Sequence, residues 1–221
     1  MEQVIAGQKA RELRIDVTQV VRESWELILL KGLFDSPYGR ELIFKGGTAL
    51  RLAYGSARFS EDLDFSLLHD RLKGKFHGWV DKIIAPFSEL TLTDLEEKRF
   101  TYLAEIRITQ EYLPFPFRMK VEISRREIKD YHWKLQLLSS PVSTVQVLGQ
   151  VGVLEQIYQD KISCLRDRAR PKDLFDLWYI TQKLKIPYTP PSMALKKKDL
   201  IRDLRKYLPK DFWPAVEELI P

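Results

Sequence analysis

The chain has 221 residues, 44% hydrophobic and 30% charged, enough for one large domain or a compact domain with a smaller appendage. Its net charge of +5 favours polyanionic partners without demonstrating one, and its single cysteine, Cys164, excludes an intramolecular disulfide and any multi-cysteine metal site. No apolar run is long enough to span a bilayer and MEQVIAGQKARELRID lacks the apolar core of a signal peptide, so the sequence reads as cytoplasmic, with no membrane partner.

Asp16-Val17-Thr18 has the form of a helix start. Val20, Val21, Trp25, Ile28, Leu29 and Phe34 follow at helical spacing, and SPYGRE breaks the pattern. ELIFK predicts a short strand, TALRLAYG a helix begun directly after Gly46 and Gly47 and stopped by Gly55, and DLDFSLL an alternating strand. A helix is expected from Trp79 to Leu90, then strands in TLTDLE, FTYLAEIRI and FRMKVEIS, with PFP as a turn. A loop around Ser139–Ser143 precedes a short strand, TVQVLG. From Val153 the pattern is helical, through LEQIYQDKISCLRDR and, after Pro171, KDLFDLWYITQKL. PYTPPS reads as a linker, and KKKDLIRDLRKYL and FWPAVEELI as closing helices. The expected organisation is an α/β domain with an N-terminal helix over 1–149 and a helical domain over 150–221.

Chemistry concentrates in FKGGTALRLAYGSARFSEDLDF, Phe44 to Phe65. Strand alternation points Asp62 and Asp64 to one face while Leu63 and Phe65 enter the core. Two adjacent carboxylates repel and raise each other's pKa unless a cation lies between them, and Mg²⁺ with phosphate oxygens is the usual remedy. A bare Asp-x-Asp is equally the mark of a solvated edge strand. In FRMKVEIS, Met119, Val121 and Ile123 form an apolar face, leaving Glu122 as a third carboxylate on the other face with Lys120 beside it. Gly46 and Gly47 allow close backbone approach to a phosphate at a helix N-terminus, and Thr48 offers a hydroxyl as cap or phosphate contact. Arg58 and Ser60 flank the acidic strand within reach of the same phosphate. In the later helix, Lys161 and Arg168 fall on the apolar stripe of Leu154, Ile157, Tyr158, Ile162 and Leu165, either snorkelling or facing an anion-filled cleft. Asp173 sits where it complements a helix dipole. His69, His77 and His132 have no ligand spacing and read as surface residues.

Taken together, this order of motifs resembles the AbiEii/AbiGii abortive-infection toxin family, MenT-like nucleotidyltransferases of the polymerase-β type. The resemblance extends to KISCLRDRARPKDLFDL, which matches the family's helical motif at Lys161, Arg168, Asp173 and Asp176, with Cys164 for alanine and Lys172 for arginine. It implies an α+β fold: a polymerase-β-like core with a mixed sheet, followed by a C-terminal helical bundle. It also implies Mg²⁺-dependent transfer of NMP from an NTP to RNA, such as a tRNA 3′ end, by a toxin restrained by a cognate antitoxin. On that pattern Asp62, Asp64 and Glu122 hold the metal and Asp173 completes the catalytic set. Gly46, Gly47, Thr48, Arg58, Ser60, Lys120 and Lys161 would then position the triphosphate. Transfer to a protein or small-molecule hydroxyl, and a non-catalytic nucleotide- or RNA-binding module, are the alternatives.

Overall fold

The computed structural model describes residues 1–167, 170–189, 197–217 and 219. Arg168, Lys196 and the end of the PYTPPS segment lie outside them.

A short first helix, α1 (Gln3–Glu12), precedes α2 (Val17–Phe34), whose N-cap Asp16 accepts a hydrogen bond from the Thr18 amide at 2.8 Å. Val20, Val21, Leu27 and Leu30 on α2 are fully buried against the sheet. The chain then runs β1 (Leu42–Lys45), α3 (Gly46–Tyr54), β2 (Leu63–Leu67) and α4 (Phe76–Ile84). Gly55 closes α3 at φ 75°, a left-handed conformation natural to glycine. Next come β3 (Leu90–Glu97), β4 (Thr101–Ile108), β5 (Phe117–Ser124), β6 (Trp133–Ser140) and β7 (Ser143–Gly152). The last helices are α5 (Leu154–Asp167), α6 (Pro171–Leu184), α7 (Lys197–Arg205) and α8 (Trp213–Glu217).

The seven strands form one mixed sheet in the order β3-β4-β5-β2-β1-β7-β6. β2 pairs parallel with β5 and β1 parallel with β7, and the other neighbours are antiparallel. Leu63, Phe65, Val121 and Ile123 turn into the main core, where Phe65 packs edge-on against Phe34 of α2. Strand alternation therefore turns Asp64 and Glu122 to the other face, toward α5. A second apolar cluster joins Ala57, after α3, to Leu174 and Phe175 of α6, Leu200 and Leu204 of α7, and Val216 of α8.

Four expectations change. α1 and β6 were not anticipated from the sequence, the helix expected from Trp79 to Leu90 runs Phe76–Ile84 with Leu90 opening β3, and the strand carrying the acidic pair begins at Leu63, so Asp62 precedes it. The ladder is replaced there by the Asp62 side chain, whose Oδ1 accepts from the Lys120 amide at 3.3 Å.

Candidate active site

Strands β2 and β5, the loop before β2 and the helices α3, α5 and α6 converge on the hollow that Asp64 faces. Parallel pairing of β2 with β5 sets Asp64 directly beside Glu122. On the other side of Asp64, Gly46 adopts φ 78°, and a Cβ there would lie 2.3 Å from Asp64 Oδ2. A Cβ on Gly47 would lie 2.1 Å from an Arg58 guanidinium nitrogen and 2.9 Å from Ser60 Oγ. The immediate reason for both glycines is thus the protein itself: they give Asp64 and Arg58 their places. The first turn of α3 has no side-chain cap, leaving its N–H groups directed at the same hollow.

Thr48 differs from both expected roles. It is fully buried in the first turn of α3, and its hydroxyl donates to the Asp62 carbonyl at 2.6 Å. The one hydroxyl proton is thereby used, so Thr48 ties down the acidic loop and has no proton left to donate to a phosphate.

Burial, with Asp62 and Glu122 nearby, pushes the Asp64 carboxyl up to about 6, against the pull of Lys161 and Lys45. Positive charge falls short at Asp64 itself, although several lysines and arginines line the surrounding hollow. Among the described residues no three His, Cys, Asp or Glu side chains are drawn together as a ready metal cage. The donor chemistry nevertheless suits a hard divalent cation: carboxylate oxygens from Asp62, Asp64 and Glu122 along one hollow, with an unrelieved like-charge repulsion at Asp64.

The wall opposite the sheet is a buried ionic cluster. Arg58 bonds Asp176 through Nε at 2.7 Å and a terminal nitrogen at 2.8 Å, and it also donates to the Phe59 carbonyl at 2.9 Å. Lys161 reaches Asp173 at 2.8 Å and Asp176 at 2.7 Å. Burial opposes ionisation of Asp176, but Arg58 and Lys161 prevail and hold its carboxyl down to about 2. Lys161 stays charged, because Asp176 and Asp173 outweigh the burial that lowers its pKa. Arg58 and Lys161, expected on the triphosphate, thus have their charges balanced by protein carboxylates, and the reason is their nearly complete removal from water. Asp173 Oδ2 is buried and without a hydrogen-bond partner, on the side that lines the cleft.

Nothing in the spacing of motifs pairs Arg58 with a residue 118 positions away, and Asp176, matched only as part of the helical motif, had no expected role. A second strut was also missed. Lys172 bonds Glu61 at 2.7 Å and lies over the Tyr207 ring, and Tyr207 also hydrogen-bonds Glu61. The lysine at this position makes a single-nitrogen contact where an arginine would offer a fork. His69 and His77 have mostly exposed side chains, and His132 is exposed.

Two contiguous hollows share Asp64, Glu122, Lys161 and Asp173. One, of about 190 Å³, is also lined by Gly47, Arg58, Ser60, Asp62, Lys120, Arg170 and Lys172. The other, of about 370 Å³, adds Lys45, Gly46, Arg126 and Asp160. All eleven candidate residues except Thr48 and Gly46 line the smaller hollow, Gly46 lines the larger, and Thr48 lies beneath. The exposed Lys120 ammonium stands 3.9 Å from Glu105.

Residues 28–213 match the family described as Nucleotidyl transferase AbiEii toxin, Type IV TA system. No curated protein matches the chain. Among solved structures, JHP933 from Helicobacter pylori is 23% identical with a TM-score of 0.57, covering 93% of this chain and 78% of its own. MenT4, a nucleotidyltransferase toxin from Mycobacterium tuberculosis H37Rv, is 20% identical with a TM-score of 0.59, covering 91% of this chain and 68% of its own. The fold is shared with these proteins.

Proposed function

The chain belongs to the AbiEii family of nucleotidyltransferase toxins of type IV toxin–antitoxin systems, and from that premise we propose that it transfers NMP from an NTP to an RNA hydroxyl, at the 3′ end of tRNA. The family implies an antitoxin partner and a nucleotide substrate. The observation that carries the reading is Asp64, held between Glu122 and the uncapped glycine turn of α3 with its charge unbalanced.

In this reading Asp62, Asp64 and Glu122 hold Mg²⁺, which when bound neutralises triphosphate charge and polarises the reacting phosphoryl group. The amides of Gly46 and Gly47 orient the triphosphate, with Lys120 and Ser60 at its flank. The acceptor hydroxyl oxygen bonds to the α-phosphorus as the bond to the β-phosphate oxygen breaks, pyrophosphate leaves, and exposed Glu122 takes the hydroxyl proton. Arg58, Lys161, Asp173 and Asp176 form the rigid wall against which the nucleotide is aligned, so catalysis rests on positioning and charge. Thr48 fixes the Asp62 backbone.

The test incubates the protein with each labelled NTP and total RNA, with and without chelator, and sequences RNA 3′ ends. Added nucleotides that vanish with chelator and in Asp64→Asn support the reading. Label on protein or small molecules, with RNA unlabelled, overturns the acceptor assignment.

A further inference from the structure

Away from the catalytic cleft, a hollow of about 780 Å³ opens between the end of α1 and the segment joining α7 to α8. Arg11, Arg14, Arg205, Lys206 and Lys210 line it, against a single lining carboxylate. That carboxylate, Asp16, is already engaged in capping α2. The cations are only lightly compensated. Among the described residues, neither Arg11 nor Lys210 is ion-paired, and Lys206 stands 3.7 Å from Asp203. Arg14 pairs with Asp211, but both side chains are more than 60% exposed, so water and salt screen the pair. Arg205 lies over the Trp213 ring, 4.6 Å from its centroid, a cation–π contact that uses no carboxylate.

Two backbone features make this a built surface. Arg14 has φ 51°, a left-handed conformation unusual for a non-glycine residue, in the turn that brings α1 to the hollow. The Arg14 carbonyl accepts from the Lys210 amide at 3.2 Å, joining the two sides. The hollow is also coupled to the catalytic loop through adjacent residues. Lys206 lines it, while the carbonyl of Tyr207 accepts from the Phe59 amide at 2.8 Å, three residues before Asp62.

We propose that this hollow binds the phosphodiester backbone of the acceptor RNA, away from the 3′ end that enters the cleft. The proposal rests on the RNA-acceptor reading above. A row of exposed, weakly paired Arg and Lys beside the loop that sets Asp62 matches a polyanion whose end must reach the catalytic carboxylates. An acidic protein segment would satisfy the charge as well, and the test below separates it from RNA.

The test uses the full chain and a labelled RNA hairpin with a single-stranded 3′ tail, comparing the wild type with Arg11→Glu/Lys206→Glu/Lys210→Glu. These side chains are exposed, and an unchanged melting temperature establishes that the variant is folded. The expected result is RNA affinity weakened at least tenfold, with the slope of log K against log salt reduced by about 2 to 3. Transfer should show the loss in KM for RNA, with kcat nearly kept. Wild-type transfer to RNA with no change in the variant overturns this proposal alone. Absence of any RNA binding or transfer by the wild type overturns the acceptor reading and this proposal with it. Displacement of the RNA by a glutamate-rich peptide at equal concentration would reassign the hollow to an acidic protein and overturn the proposal. If the triple variant fails to fold, Lys210→Gln alone is the measured variant, and an unchanged salt slope then overturns the proposal.

Discussion

Asp64 is the residue at which fold and chemistry pull in opposite directions. Its carboxyl is raised to about 6 from 3.8, first by burial and then by Asp62 and Glu122. The folded protein therefore binds a proton more tightly than the unfolded chain. In metal-free protein, stability is lost as pH climbs from 3.8 to about 6 and stays lost above it. Asp64→Asn should stabilise the metal-free protein by about 1–2 kcal/mol at pH 8, and by little at pH 4, in urea unfolding with chelator present. The same substitution should abolish transfer. A variant less stable than the wild type at pH 8 would show that Asp64 is already compensated. Gly46 gives a second expectation. Alanine there meets a left-handed backbone cost of about 1–2 kcal/mol and a Cβ that displaces the Asp64 carboxylate. Activity should fall far more than stability, which a parallel melting curve and transfer assay would read.

At the scale of elements, α5 and α6 meet through Lys161, Asp173 and Asp176, and α6 holds the loop after α3 through Arg58. The four charges sum to zero, which is how they persist in the interior. Asp176→Ala leaves Arg58 with no bidentate partner and Lys161 with one carboxylate, and should cost about 3–5 kcal/mol in denaturant unfolding. A cost under 1 kcal/mol would mean that water enters the cluster. Most elements were legible because their periodicity is clean: β5 alternates buried and exposed residues along almost its whole length, and Asp16 announces α2. β6 was not, since WKLQLLSS leaves Leu135 and Leu137 exposed while burying the adjacent Leu138, so alternation marks no apolar core face. α1 buries only Ala6 and exposes Val4, so its apolar pattern is faint. Local alternation puts Asp64 and Glu122 on the polar faces of their strands, whereas their adjacency depends on β2 pairing with β5 and the Arg58–Asp176 pair on how α6 docks.

For the whole molecule, the second apolar cluster decides whether the loop before Asp62 is held. Leu204 is fully buried beside Leu174 and Phe175, and α7 leads to Tyr207, whose carbonyl binds the Phe59 amide. Leu204→Ala should cost about 2–4 kcal/mol and speed hydrogen exchange at the Phe59 amide, while amides of β4 and β5 keep their protection. Uniform loss of protection across the sheet would instead mean that the molecule unfolds as one unit.

The long reach of Arg58 also has a bearing on biosynthesis. A nascent chain that has only just finished its sheet has glycines, aspartates and Glu122 in place, yet Asp176 and Tyr207 are still to be translated. The arginine then has no anchor, and the strap before Asp62 hangs loose. We expect such a chain to be silent, so that activity arrives only when the C-terminal helices have been made. Chains ending at position 170 and followed by a tether long enough to clear the ribosome should transfer nothing, while full-length chains on the same tether should be active. Transfer by the truncated chains would show that the loop needs no such anchor.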